Sequence, residues 1–282
     1  MHRSAAVVAA ACAVLAMSGA GASASATTTA TATAAARPVT RGTLRPAVHL
    51  PRGRVSSPQG IPVEDTTNWS GYVATPKTGH SAKFRHVAAS YSVPSVNCAA
   101  TRYAFSYHWV GLDGWTDSTV EQDGIGSFCV SGSPVYFAWY EMFPAANVFE
   151  FYVKPGDAIT SDVGVSGTTY TLKLTDQTTG QGFDVAETCA AGCHDSSAEV
   201  ITEGYTSAPY QGTADFAEEH YDTARVTNGG GTAGGLTDSD WNTVEPVALG
   251  ATTGDMDTQP GPLYAATSPA QSAFEITWLG ED

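Results

Sequence analysis

Carboxylates, side-chain amides and indoles crowd into four short stretches of this chain. Residues 108–124, HWVGLDGWTDSTVEQDG, carry Trp109, Asp113, Glu121, Gln122 and Asp123. Residues 137–144, FAWYEMFP, carry Trp139, Tyr140 and Glu141, and residues 198–203, AEVITE, carry Glu199 and Glu203. NWSG, residues 68–71, adds Trp69. A carboxylate can take a proton from water and return it later, and a glutamine amide donates N–H bonds without ever ionising. An amide facing a carboxylate could thus hold an oxyanion while the carboxylate activates water. Two carboxylates astride a tryptophan-lined groove could instead cleave a glycosidic bond, and Glu141 with Glu203 would be that pair. The sequence has no D-T-G, G-x-S-x-G or H-E-x-x-H. His194 and His220 read as surface residues.

Those side chains have to be carried by strands. On a helix, Glu199 and Glu203 would be a like-charge i,i+4 pair, which is mildly destabilising. On a strand, Glu199, Ile201 and Glu203 share one side. The chain has no persuasive helical period. Short runs rich in Val, Thr, Tyr, Phe and Trp recur instead between clusters of Gly, Pro, Asn and Asp. In TYTLKL the apolar Tyr170, Leu172 and Leu174 alternate with Thr171 and Lys173. Roughly a dozen such runs predict an all-β fold, an antiparallel two-sheet β-sandwich of jelly-roll or concanavalin-like kind. Residues 227–240 and 252–272 read as long loops.

The N-terminus sets the compartment. MHR, an apolar run of 13 residues and A-x-A sites ending at Ala24 or Ala26 make residues 1–26 a signal peptide. The run is shorter than the ~20 residues that span a bilayer. The protein is therefore expected to be secreted and extracellular. Residues 27–60 are low in complexity and basic, and all 28 acids lie at or after Glu64. Residues 61–282 hold seven Lys and Arg, for a net charge of −21. That contrast predicts a pro-segment at 27–60 that docks on a catalytic domain at 61–282 and inhibits it. The charge argues against nucleic acid and anionic membranes as partners, and suits a protein that works in acid. A monomer without cofactor or metal is expected. Cys12 leaves with the signal peptide, and four cysteines remain in an oxidising compartment, so disulfides are the default. Three pairings are possible; the short CAAGC loop favours Cys189–Cys193, which leaves Cys98–Cys129.

The four motifs, in this order, resemble those of the glutamic peptidases, or eqolisins. NWSG is similar to the family's NW-x-G. WVGLDG is similar to WVGIDG, with the catalytic glutamine about ten residues on, at Gln122. AWYEMFP resembles AWYEW-[FY]-P, and AEVITE resembles AE-x-I-x-E, whose last glutamate is catalytic and falls on Glu203. The resemblance implies a secreted acid endopeptidase on a two-sheet β-sandwich, acting on polypeptides through Gln122 and Glu203. Asp113, Glu141, Glu199, Trp69, Trp109 and Trp139 become candidates for supporting the pair or lining a peptide groove. Glu203 should titrate near ~4.3, or higher if shielded. The chain departs from the pattern at Glu121 and Asp123 beside the glutamine, at Phe137 and Met142, and at Gly204, where an acid is common. A jelly-roll glycoside hydrolase and a non-enzymatic carbohydrate-binding module are the competing readings. A glycosidase has no need of Gln122, and a binding module has no need of a basic pro-segment.

Overall fold

A computed structural model describes residues 44–50, 55–99, 102–189, 192–204, 212–249, 257–266 and 270–280. The expected signal peptide and the start of the expected pro-segment lie outside the described residues. No helix occurs among those described. The strands are β1 (Val55–Ser56), β2 (Pro62–Thr66), β3 (Trp69–Pro76), β4 (Phe84–Ser92), β5 (Tyr103–Leu112), β6 (Val120–Val130), β7 (Ser133–Phe143), β8 (Val148–Tyr152) and β9 (Ala158–Ser166). They continue with β10 (Thr169–Asp176), β11 (Gly182–Thr188), β12 (Ala198–Gly204), β13 (Glu218–Asn228), β14 (Ala233–Gly234), β15 (Trp241–Ala248), β16 (Thr258–Pro260), β17 (Tyr264–Ala265) and β18 (Ser272–Trp278). Both stretches read as long loops therefore hold short strands: β14 in the first, β16 and β17 in the second.

Two sheets face each other, and the protein is an all-β sandwich. The first runs β1-β2-β15-β3-β12-β5-β6-β7-β8, and the second runs β11-β10-β9-β4-β13-β18-β16, with β14 on β13 and β17 on β18. Pairing is antiparallel except between β2 and β15, which is parallel. Between the sheets, Tyr72, Val110, Leu112 and Val200 of the first pack with Val163, Leu172, Leu174 and Phe274 of the second. Burial of this apolar surface is the main drive for the sandwich, at about 25 cal/mol per Å².

The sheets differ on their other faces. β10 alternates as its sequence predicts: Tyr170, Leu172 and Leu174 are buried, and Thr169, Thr171 and Lys173 are exposed. β5, β6 and β12 are buried along almost their whole length. Their second face carries an aromatic cluster with Trp69, Tyr107, Trp109, Phe137 and Trp139, joined by Ile201. Large apolar side chains thus occupy both sides of these strands.

The four cysteines pair as Cys98–Cys129 and Cys189–Cys193, the arrangement favoured by the short CAAGC loop.

Candidate active site

The aromatic face of the first sheet positions the motif residues. Gln122 on β6 lies directly opposite Glu141 on β7, and its Nε2 donates to Glu141 Oε2 at 2.8 Å. One step along the strands, Gly124 lies between Trp109 on β5 and Trp139 on β7. A Cβ at Gly124 would sit 2.2 Å from His108 O and 2.6 Å from Trp109 Cβ, so only glycine fits this position beside β5. Trp109 in turn meets Trp69 edge to face, with ring centroids 4.9 Å apart.

Glu203 approaches from β12 and is buried. It accepts from Asn68 Nδ2 at 3.1 Å and from the backbone N–H of Arg45 at 3.3 Å. The Leu44 amide lies close enough to Glu141 to favour that carboxyl's charged form. The peptide of residues 44 and 45 therefore spans from one glutamate to the other, with Gln122 beside Glu141. Glu203 Oε2, Glu141 Oε1, Gln122 Oε1 and Trp139 Nε1 are buried without a hydrogen-bond partner. Buried polar atoms seldom stay unpaired, so this face is suited to a polar ligand such as a peptide group.

Burial pushes Glu203 up to about 8 and Glu141 up to about 9, the latter helped by the charge of Glu203. Asn68 and the Arg45 amide pull Glu203 the other way, and Gln122 does the same to Glu141. These values are far above the ~4.3 expected for an open site. The physical reason is burial within the aromatic face, which residues 44–50 help to cover, although the Arg45 and Leu44 amides themselves favour the charged forms. Leu44 is only 1% exposed.

Glu199 has different company. Burial raises it well above the ordinary glutamate value, and so do the charges of Asp113, Asp117 and Glu121. Asp113 closes the β5 end with a positive φ of 69°. Its carboxylate accepts the backbone N–H groups of His194, Asp195 and Ser196 at 2.7, 2.9 and 2.5 Å. It thereby fixes the segment that leads into β12. Glu121 is held up to about 10, chiefly by burial and then by Asp113. A disulfide sulfur has no proton to give, so the proton in the 2.9 Å contact between Cys193 Sγ and Glu121 Oε1 belongs to the carboxyl. Of the motif residues, then, Gln122, Glu141, Glu199, Glu203 and the three tryptophans share one face, with Glu199 in the cross-strand row of Gln122 and Glu141 across Gly111. Asp113 lies at the β5 end, where its charge and those of Asp117 and Glu121 act on Glu199.

Two contributors to the face were not picked out from the sequence. Asn68 ties Glu203 to the segment above it, donating to that carboxylate and accepting from Val48 N–H at 3.0 Å. It is buried, and its place in NWSG next to Trp69 was the available signal. The other is residues 44–50 themselves. Gly204, at the departure from the acidic pattern, abuts Thr213: a Cβ there would sit 2.2 Å from Thr213 Oγ1.

A two-sheet sandwich with a buried Gln–Glu set on one aromatic face is the architecture of a glutamic peptidase. The Peptidase A4 family model matches residues 67–258, and the chain belongs to that family. It is a glutamic endopeptidase, a peptide hydrolase. Among solved structures, its fold is similar to scytalido-glutamic peptidase bound to a peptide-based transition-state analog (21% identity, TM-score 0.62, covering 76% of this chain and 98% of that one). It is similar to SCP-B, an eqolisin in complex with the tripeptide Ala-Ile-His (21%, TM-score 0.60, 76% and 98%). It also resembles aspergilloglutamic peptidase from Aspergillus niger (24%, TM-score 0.51, 62% and 99%). No curated protein matches the sequence.

Proposed function

We propose that this peptidase is a secreted monomer that cleaves polypeptides in acid, with Glu203 activating water and Gln122 stabilising the oxyanion. One observation carries the reading. A run of polypeptide already lies across the face with a peptide N–H on the Glu203 carboxylate. In the proposed step, ionised Glu203 takes a proton from water, whose oxygen bonds to the substrate carbonyl carbon. Gln122 Nε2 has two hydrogens; Glu141 engages one, and the other is left for the oxyanion. One such donor contributes about 2.7–4 kcal/mol to the transition state. Glu203 then returns the proton to the departing nitrogen as the C–N bond breaks.

The same contact supports inhibition by the chain's own N-terminal tract, with residues 1–26 as signal peptide and 27–60 as pro-segment. With residues 44–50 in place Glu203 is held up to about 8. Only a small fraction is then ionised in the acid range, so turnover with the segment in place is slow. Release of the segment hydrates the carboxyl and returns it toward the ordinary glutamate value, near ~4.3. It then ionises in moderate acid.

The test is hydrolysis of a denatured protein by the purified mature form, from strong acid to neutral pH, beside Gln122→Ala and Glu203→Gln. Each variant is expected to lose about 100-fold or more in kcat. Full activity in either one refutes the pair.

A further inference from the structure

Among residues 44–50 a single side chain is fully buried. Leu44 belongs to the aromatic cluster of the site face, whereas Arg45, Val48 and His49 are exposed and Pro46, Ala47 and Leu50 are half-buried. The residues after Leu44 are held largely through their main chain, with the His49 ring against Trp115 as the main side-chain contact (Nε2 to Trp115 O 2.7 Å) and Ala47 packed on the cluster. Arg45 O accepts from Trp69 Nε1 at 3.0 Å and from Asn68 Nδ2 at 3.3 Å. Pro46 O also faces Asn68 Nδ2, at 3.3 Å. Ala47 N–H donates to Gly114 O at 3.0 Å, and Val48 N–H to Asn68 Oδ1 at 3.0 Å. Main-chain bonds hold an extended peptide whatever its sequence, and side-chain pockets supply selectivity. Here the one filled pocket is that of Leu44.

Glu203 sets the register. Its partner at 3.3 Å is the N–H of Arg45, the nitrogen that would depart if the Leu44–Arg45 bond broke. The following bond, Arg45–Pro46, has no N–H to offer. The Leu44 N–H acts on Glu141 instead, whose charged form it favours.

We infer that residues 44–50 lie in the register of a substrate, that Leu44–Arg45 is the first bond cut during maturation, and that the site selects a large aliphatic residue on the acyl side of the cut. The inference rests on the Glu203–Gln122 reading. In the step, the oxygen of one water bonds to the Leu44 carbonyl carbon and the Leu44–Arg45 C–N bond breaks. Glu203 carries one proton from that water to the Arg45 nitrogen. The products are a carboxyl group at Leu44 and an amine at Arg45.

Two arms test this. In the first, the full chain carrying Glu203→Gln is incubated in acid with a small amount of wild-type protein, and new N-termini are sequenced over time. The first to emerge is expected to begin at Arg45; one beginning at Leu44, Pro46 or elsewhere overturns the register. In the second, wild-type protein cleaves synthetic peptides spanning residues 40–50. The Leu44→Met peptide should keep kcat/KM within about threefold, and the Leu44→Gly peptide should lose about 100-fold. Equal cleavage of the Leu44→Gly peptide overturns the selectivity. If the wild type hydrolyses denatured protein but leaves the 40–50 peptide intact, only the register falls. If it hydrolyses nothing at any pH, the Glu203–Gln122 reading falls too.

Discussion

Two groups of buried carboxyls sit in one sheet, and they differ in who supplies their hydrogen-bond donors. Glu141 and Glu203 face Gln122, Asn68 and the amides of residues 44 and 45, a stretch that lies over the sandwich. Asp113 is tied by three consecutive amides of the sandwich itself, and Glu121 rests on the Cys189–Cys193 disulfide. In the first group Gln122 and Asn68 belong to the sandwich, but the Arg45 amide comes from the stretch above it; in the second every donor belongs to the sandwich and anchors the entry to β12. Burial and raised pKa values are common to both and do not separate them. The source of the donors does.

The sharpest way to break this contrast is to treat the two glutamates of β12 alike. Glu203→Gln should lower kcat on denatured protein by about 10²–10⁴-fold, and Glu199→Gln should leave it within about threefold. Comparable losses in both would erase the distinction. Next in size, Asp113→Ala leaves three amides without their acceptor and should cost about 3 kcal/mol or more. In a thermal melt at acid pH that is a fall of about 6–12 °C in Tm. An unchanged melt would remove Asp113 as the anchor of β12.

The third prediction concerns pH. Glu203, Glu141 and Glu121 are held up to about 8, 9 and 10 against a usual value of 4.5. Between 4.5 and those values the fold keeps protons that the unfolded chain has released, so stability falls as pH rises. It is full below 4.5 and is lost progressively through the neutral and alkaline range. Wild-type Tm should therefore drop from acid to mild alkali. Glu121→Gln should flatten the slope and raise Tm at neutral pH by about 3 °C or more. A wild-type Tm that rose across this window would contradict the assignment. Smallest of all, Trp69→Phe keeps an aromatic six-membered ring but loses the indole's second ring and with it the 3.0 Å bond to Arg45 O. A loss of about 1 kcal/mol should quicken acid release of the N-terminal segment about fivefold, as followed by gel electrophoresis.

How much of this was legible depended on which faces are wet. β10 could be read from Tyr170, Leu172 and Leu174 because its outer face meets solvent and the polarity alternates. β6, Val120–Val130, is buried on both faces, so no alternation of polarity marks it in the sequence. Gly124 and Gly126 look like turn residues in sequence; in the sheet, Trp109, Trp139 and Phe137 fill the space their missing side chains leave. Glu199 and Glu203 were expected on one strand face, and β12 does carry both. Their alternation could not show that Asp113, Asp117 and Glu121 surround Glu199 while Asn68 and the Arg45 amide meet Glu203. Least legible was the placement of residues 44–50. An Arg-rich tract has no periodicity that points to a buried destination, and Leu44 gains its meaning only from the aromatic cluster built by distant strands.

The crowding at Gly204 reaches beyond this molecule. Thr213 Oγ1 occupies the place a Cβ would take, so an acidic residue at position 204 needs the Thr213 hydroxyl to turn away or be removed. Gly204→Asp should therefore be better tolerated alongside Thr213→Ala than alone, as a thermal melt of the single and double variants would show. Positions 204 and 213 are thus coupled: a change at one sets what the other can hold.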